Sequence, residues 1–216
     1  MNFNNHSNWE GKHAVLGASK YTWTNDTREE AIIRWKKSYI PMIGTLLHAY
    51  AQDRVIYKEH LVRASKGDVS IYLQKNGIPR NVFDIESIMD NLIPYVNDAI
   101  GFRMAVEKPV GYSDLAFGTS DAIQYYERKK VLRIHDLKMG THEAKFDQLF
   151  LYAAFFFLEY NLKPEDTEMH FRIYQSGEIK DTDKLYSQEE LVELVNSKIM
   201  ATIEKDQWIS EELLNG

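Results

Sequence analysis

Residues 131–138, which read VLRIHDLK, decide the fold of this chain. The apolar side chains of this stretch predict a buried β-strand, and its end carries Asp136 and Lys138. The polar residues 127–130 lie just before it and predict a hairpin connection to an earlier strand over 115–124. Two neighbouring antiparallel strands are therefore expected around the polar end of this stretch.

Further strands are predicted on both sides of this hairpin. One begins at Met104, and another covers residues 168–175, where apolar and polar side chains alternate. Residues 143–160, between the third and fourth strands, are mostly apolar and helical in pattern, so this helix should lie against the sheet. The order of elements predicts an α/β fold whose mixed sheet starts antiparallel and continues through a crossover helix.

Helices are expected before and after this core. Two of them begin with capping boxes, one formed by Thr27 and Glu30 and one by residues 187–190. Pro41 interrupts the helical pattern after the first of these. The predicted flanking helices run from Thr27 to about Tyr39, from Met42 to Ala64, onward from Asp84, and from Ser187 to about Lys205.

The composition excludes several classes of protein and site. The chain has 216 residues, with 26 Lys and Arg against 32 Asp and Glu, so its net charge is 26 − 32 = −6. It has no cysteine, which excludes disulfides, zinc–thiolate sites, iron–sulfur clusters and cysteine nucleophiles. No apolar run approaches the roughly 18 residues of a membrane span. Since no secretory signal is visible either, we expect a cytoplasmic protein without membrane contact.

The negative charge is confined to the end of the chain. Residues 1–164 carry 21 basic and 19 acidic side chains, whereas residues 165–216 carry 5 and 13. A polyanionic partner is therefore compatible with the acidic total. Two basic groups, within 54–66 and 128–133, are either solvated surface or contacts for a nucleic-acid backbone.

Three polar residues are the main candidates for a catalytic or metal-binding site. Asp121 is the last residue of the segment FGTSD at 117–121, and Asp136 and Lys138 share one face of the next strand. If the two strands pair, the two carboxylates lie opposite each other, and they repel unless a cation separates them. Carboxylate oxygens suit Mg²⁺ or Mn²⁺, which activate water against phosphodiesters. The competing interpretation is a surface ion pair of Lys138 with one aspartate.

Glu107 is a further candidate ligand. It lies near the start of the first predicted strand, before the strand pair that carries Asp121 and Asp136. It is either another carboxylate of a metal site, directly or through a neighbour, or a simple surface charge.

The pattern of Asp121, Asp136 and Lys138 resembles the PD-(D/E)XK nuclease superfamily and, within it, the RecB-like exonuclease group. Ser120 stands where the superfamily has proline. Two further segments resemble motifs of that group: GTLLH at 44–48 its G-x-x-x-H helix, and QLFLY at 148–152 its Q-x-x-x-Y helix. More narrowly, AVLGASKYTW at 14–23 and RIHDLK at 133–138 look like small phage-encoded exonuclease-like proteins.

This resemblance implies a restriction-endonuclease-like αβββαβ core and assigns roles to individual residues. His48 and the main-chain carbonyl of Leu137 are implied as metal ligands beside Asp121 and Asp136. Lys138 is implied to position and activate water. Gln148 and Tyr152, one helical turn apart, are implied to support the lysine or contact DNA.

The expected protein is therefore a single nuclease-like domain over 1–216. Residues 1–100 would form a mainly helical wall, 101–176 the catalytic core and 183–216 an acidic C-terminal helix. Its activity would be Mg²⁺- or Mn²⁺-dependent hydrolysis of double- or single-stranded DNA, most simply as an exonuclease in a prokaryotic or phage-infected cell. The acidic helix could meet a protein partner or a second copy of the chain.

Two alternatives to DNA hydrolysis remain open at this level. A catalytically silent protein of the same fold would bind nucleic acid or a protein without cutting it. A hydrolase of small phosphate esters would use the same metal chemistry in a deep closed pocket, whereas a nuclease would use an open groove.

Overall fold

The computed structural model describes residues 14–140 and 142–215, and its centre is a five-stranded mixed sheet with the strands in sequence order. The expected irregular segment over residues 1–26 falls partly outside the described residues. The strands are β1 (Ala105–Ser113), β2 (Ala116–Tyr126), β3 (Val131–Leu137), β4 (Glu168–Gln175) and β5 (Glu178–Asp181). The helices are α1 (Arg28–Lys37), α2 (Ile40–Ile56), α3 (Lys66–Lys75), α4 (Ile85–Gly101), α5 (Asp147–Tyr160) and α6 (Gln188–Asn215).

The sheet begins as an antiparallel meander and then turns parallel. β1, β2 and β3 pair antiparallel, and β3 pairs parallel with β4 after the crossover through α5. Lys130, in the left-handed conformation, closes the connection between β2 and β3. This arrangement confirms the predicted α/β class with an antiparallel start and a crossover helix. The helix is needed because two neighbouring parallel strands cannot be joined by a short hairpin.

Helices cover both faces of the sheet. On one face, α2, α3 and α4 pack over side chains such as Ala122 and Leu137. On the other face, α5 and α6 pack over Ile123 and Ile134. Because neighbouring strand residues point to opposite faces, successive residues of β3 belong to different cores. This alternation decides which polar residues of β3 meet which helix.

Three of the predicted helix starts are accurate. Thr27 and Glu30 form the capping box of α1, and Asp84 accepts a hydrogen bond from the Glu86 N–H at the start of α4. At the start of α6, the Ser187 and Glu190 side chains and backbone N–H groups bond reciprocally. These signals are local, so they hold whatever the surrounding fold.

Several predicted element bounds are wrong. α2 ends at Ile56 rather than Ala64, because the chain turns back through a left-handed residue after Tyr57. The segment over 68–75 is part of the helix α3, and α6 continues to Asn215 instead of stopping near Lys205. The sequence reasoning also missed β5, a short edge strand.

A helix that spans a membrane must be both long and apolar. Within residues 14–140 and 142–215, none of the helices meets both conditions.

Candidate metal centre

Three carboxylates lie at one level across three neighbouring strands. The pairs Val106↔Ala122 and Lys108↔Ser120 bracket Glu107 and Asp121 in the β1–β2 ladder. The pair Ala122↔His135, one step further along β2 and β3, places Asp121 beside Asp136. Asp121 Oδ2 also accepts a hydrogen bond from the Leu137 N–H at 2.8 Å. The predicted juxtaposition of Asp121 and Asp136 is thus observed.

His48 reaches these carboxylates from α2. Its Nδ1 lies 3.5 Å from Asp121 Oδ2 and 3.8 Å from Glu107 Oε1. One donor atom from each of the three residues lies within 4.8 Å of the others. Leu47 and Ala51 anchor this part of α2 in the core, so the neighbouring His48 points to the rim of the sheet. An imidazole and two carboxylates at this spacing are a donor set for a metal ion.

Glu107 holds its place through a strained backbone. Its φ of 49° lies in the left-handed region, which is uncommon for a side chain of this kind. Such a conformation costs on the order of 1–3 kcal/mol and is characteristic of functional sites. The strain sits at the residue that completes the triad with His48 and Asp121, which supports a binding role over a simple surface charge.

Asp136 stands beside the triad and is almost completely buried. Its Oδ1 accepts a hydrogen bond from Lys138 Nζ at 2.9 Å. Its Oδ2 is buried and has no hydrogen-bond partner among the described residues. Buried carboxylate oxygens are nearly always satisfied, so this oxygen is available to accept a bond from a water or a ligand. The surface ion pair considered above does not describe an aspartate with 2% of its side chain exposed.

The site carries excess negative charge. Glu107, Asp121 and Asp136 contribute −3 and Lys138 contributes +1, which gives −2 when all are ionised. Burial and the charge of Asp136 raise the pKa of Asp121 to about 6. Burial also raises the pKa of Asp136, although Lys138 opposes the change. Both shifts mean that the folded chain resists holding these charges without a compensating cation.

Lys138 is held as a cation by its neighbours. Its burial disfavours the charged form, but the carboxylates of Asp136 and Asp121 outweigh burial and raise its pKa. The Nζ also donates to Gln148 Oε1 at 3.0 Å, so its position is set from two sides.

The α5 side chains extend this network. Gln148 Nε2 donates to the Tyr152 hydroxyl at 2.8 Å, so the two residues share one face of α5 as predicted. Tyr152 packs over Gly118 of β2, where an added Cβ would lie 2.9 Å from the Tyr152 ring. Gly118 is therefore required for this close approach, a role that the sequence does not indicate.

Two residues near the site were not predicted. Gln52 lies one helical turn after His48 and lines the same open cavity of about 540 Å³, together with Glu107 and Asp121. Its i+4 spacing from His48 is the signal that could have found it. Tyr95 of α4 is buried, and its pKa is raised well above the usual value by burial and by the three carboxylates. Its position on the apolar face of α4 made it look like ordinary core.

The expected basic groups are mostly engaged elsewhere. Arg54 pairs with Glu59, while Arg63 and Lys66 pair with carboxylates of α4. The group at 128–133 lies at the opposite end of β3 from Asp136, on the order of 20 Å away at the usual rise of a strand.

Comparisons with known proteins found no similar one. No family model matches the sequence, and neither the curated proteins nor the solved structures contain a match to the chain.

Proposed function

We propose that this protein is a divalent-metal-dependent nuclease that hydrolyses DNA phosphodiester bonds, with a restriction-endonuclease-like core. The pairing of buried Asp136 with Lys138 beside the triad of His48, Glu107 and Asp121 carries this proposal. The chain order α4–β1–β2–β3–α5–β4 agrees with the αβββαβ arrangement that the motifs imply. Asp121, Asp136 and Lys138 are all present, which argues against a catalytically silent relative.

The residues present fit a divalent ion. The unpartnered Oδ2 of Asp136, the three clustered carboxylates and the imidazole of His48 form a mainly oxygen donor set. Mg²⁺ and Mn²⁺ prefer such donors. His48, Glu107, Asp121 and Asp136 would hold the ion, with the carbonyl of Leu137 beside them. When bound, the ion would polarise the phosphate and lower the pKa of a coordinated water.

Lys138 acts as a positively charged donor in this scheme. It is protonated because the aspartates raise its pKa, and its Nζ is oriented by Asp136 and Gln148. A fixed cation at this position stabilises charge that develops on the phosphate oxygens and orients the attacking water. Tyr152 holds Gln148, and through it the lysine, in this geometry.

The shape of the site favours a polymer over a small phosphate ester. The cavity at His48 and Asp121 is an open groove, and a second groove of about 710 Å³ shares Gln52 and Glu107 with it. A small ester would be better served by a closed pocket. A strand of nucleic acid, in contrast, can lie along both grooves.

A digestion assay tests the proposal. Linear duplex, linear single strand and covalently closed circles are incubated with the protein and Mg²⁺ or Mn²⁺. We expect the linear substrates to be consumed from their ends while circles survive, and EDTA to stop the reaction. Asp136→Asn should be inactive although folded, and Asp166→Asn, an exposed carboxylate at the far end of β3, should be fully active.

Each other result has a definite meaning. Cleavage of circles would show that the protein is an endonuclease. This result would refute cleavage from the ends but not the nuclease activity itself. Binding without cleavage under either metal ion would contradict the catalytic proposal and favour the binding protein.

A further inference from the structure

A groove of about 710 Å³ lies next to the metal centre, between the C-terminal ends of α2 and α4 and the start of β1. Gln52 and Glu107 line both this groove and the cavity that contains His48 and Asp121. The two cavities therefore meet at the proposed metal ligands. A chain molecule cleaved at the centre would continue into this groove.

Three exposed cations line the groove: Lys58, Arg103 and Lys108. Within residues 14–140 and 142–215, none of the three forms an ion pair or a side-chain hydrogen bond. In contrast, Arg54, Arg63 and Lys66 are all engaged with carboxylates. Of the described residues that line the groove, Glu107 is the only acidic one, and it belongs to the proposed metal centre. The groove therefore presents three uncompensated positive charges.

Two of these cations stand at strained positions. α2 and α4 both end in a Schellman motif, in which Lys58 and Arg103 take the left-handed conformation with φ of 57° and 54°. Glycine is the usual residue at this position, because it adopts the conformation without steric cost. At the end of each helix a cation therefore occupies a position where glycine would cause less backbone strain. Both cations face the same groove.

The groove also contains apolar surface between its cations. Val55, Ala99 and Met104 are buried beneath it, and Ile56 is 56% exposed at its edge. Apolar surface contacts bases and sugars only where bases are unstacked, whereas a duplex presents its phosphates outward. Cations alternating with apolar side chains suit a single strand.

We propose that this groove binds the phosphates of a single DNA strand that leads into the metal centre, with Lys58, Arg103 and Lys108 as the phosphate contacts. This inference rests on the proposed nuclease function and adds its substrate path. Each contact is to the backbone, so binding is independent of base sequence and weakens with salt.

At two of these positions, substitution by glycine tests DNA binding without destabilising the fold. Lys58→Gly and Arg103→Gly each remove one charge and relieve one strained residue, so the melting temperature should not fall. Lys108→Gln removes the third charge. Asn161→Gly is the matched control for strain, because Asn161 ends α5 in the same left-handed conformation without a charge. Lys163→Gln is the control for charge, since this exposed lysine lies at the far end of the sheet.

Binding of a short fluorescein-labelled single strand is measured by anisotropy in Ca²⁺, over a series of salt concentrations. We expect each groove variant to bind about tenfold more weakly. The slope of log affinity against log salt should fall by about 0.7 for each charge removed. Both controls should match the wild type in affinity and slope.

The outcomes separate this inference from the proposed function. Unchanged affinity and slope in the groove variants of a protein that cuts DNA would overturn the inference and leave the nuclease intact. An equal loss of affinity in Lys163→Gln would also overturn it. So would duplex DNA that binds more tightly than the single strand and shows the same loss of salt slope in the groove variants. A wild-type protein that neither binds nor cuts DNA would overturn both.

Discussion

Two polar clusters lie back to back on β3, one residue apart in sequence. Asp136 points to the α5 side of the sheet, and His135 points to the α4 side. In the Asp136 cluster, three carboxylates share a single lysine, and one buried carboxylate oxygen has no partner among the described residues. The second cluster joins His135, Tyr174, Asp98, Arg172 and Asp181 through hydrogen bonds of 2.7–3.1 Å.

In the second cluster both carboxylates are paired with one guanidinium, which leaves a net charge of −1, whereas the first cluster carries −2. Arg172 lies between Asp98 and Asp181 and donates to both. Tyr174 gives its single hydroxyl proton to Asp98, so it accepts from Nδ1–H of His135, which is neutral. The Nε2 of His135, which has no hydrogen-bond partner in the described part of the chain, is therefore uncharged, and burying it costs less free energy than burying a carboxylate oxygen without a partner. Charge compensation, and not burial alone, distinguishes a structural polar cluster from a binding site.

Removing the lysine of the first cluster should have the largest effect. Lys138→Ala should lower DNA cleavage by about 10²–10⁴-fold, because the fixed cation beside the phosphate is lost. Lys180→Ala is the control for loss of a lysine, since Lys180 pairs with the exposed Glu143 and lies two strands away from Asp136. Initial rates on labelled linear DNA give the comparison. Equal rates for the two variants would show that the Lys138–Asp136 pair is as structural as the His135 cluster.

Metal addition should stabilise the folded protein through the first cluster and not through the second. Saturation at about 100 times the dissociation constant contributes roughly 2.7 kcal/mol, or roughly 5–10 °C in melting temperature for a chain of this size. Asp121→Asn should abolish most of this gain, whereas Asp98→Asn should keep it. Thermal melts with Mn²⁺ and with EDTA test this. A full metal-induced shift in Asp121→Asn would refute the assigned ligand set.

Replacing an aspartate by asparagine should change the free energy of unfolding in opposite directions in the two clusters. Without metal, Asp136→Asn should stabilise the fold by about 1 kcal/mol, because it removes a repelling buried charge. Asp98→Asn should destabilise it by about 1–3 kcal/mol, because Arg172 and Tyr174 lose a charged acceptor. Urea unfolding in EDTA measures both. Destabilisation of similar size in both variants would erase the distinction between the clusters.

The two clusters should also oppose each other in their pH dependence, so their contributions partly cancel in the unaltered protein. Burial lowers the pKa of His135 to about 3, so stability falls as pH drops below its usual 6.5, where the unfolded chain takes up the proton. The pKa of Asp121 is raised to about 6, so stability without metal is instead lost as pH rises from 3.8 to about 6.

Two variants separate these contributions. His135→Gln should remove the acid-induced loss of stability, and Asp121→Asn should make that loss steeper. Urea unfolding in EDTA across this pH range measures the slopes. Identical slopes in the two variants would contradict the assigned charge states.

Strand positions were the most predictable part of the fold. β3 and β4 begin and end at the predicted residues, because alternation and bounding polar residues are properties of short segments. β5 escaped detection because it has only four residues and is largely polar. Its turn, Ser176 and Gly177 with φ of 55° and 76°, is the tight hairpin signal that could have revealed it.

Helix ends and charge pairing were less predictable. The end of α2 depends on Lys58 adopting a conformation that the sequence does not favour. The basic group at 54–66 looked like one surface, yet α4 supplies carboxylates that neutralise Arg63 and Lys66. Partners on another helix are set by packing over long sequence distances, which no local pattern encodes.

The sequence by itself determined four of the five strands, three helix caps, and the spacing that puts Asp121, Asp136 and Lys138 on paired strands. Only the tertiary structure decided that His48 and Glu107 meet Asp121, that the backbone of Glu107 is strained, and that a buried oxygen of Asp136 has no partner among the residues described. The physical reason is range. Alternation, capping and hairpin register depend on neighbouring residues, whereas the approach of α2 to β1 depends on how the entire core packs.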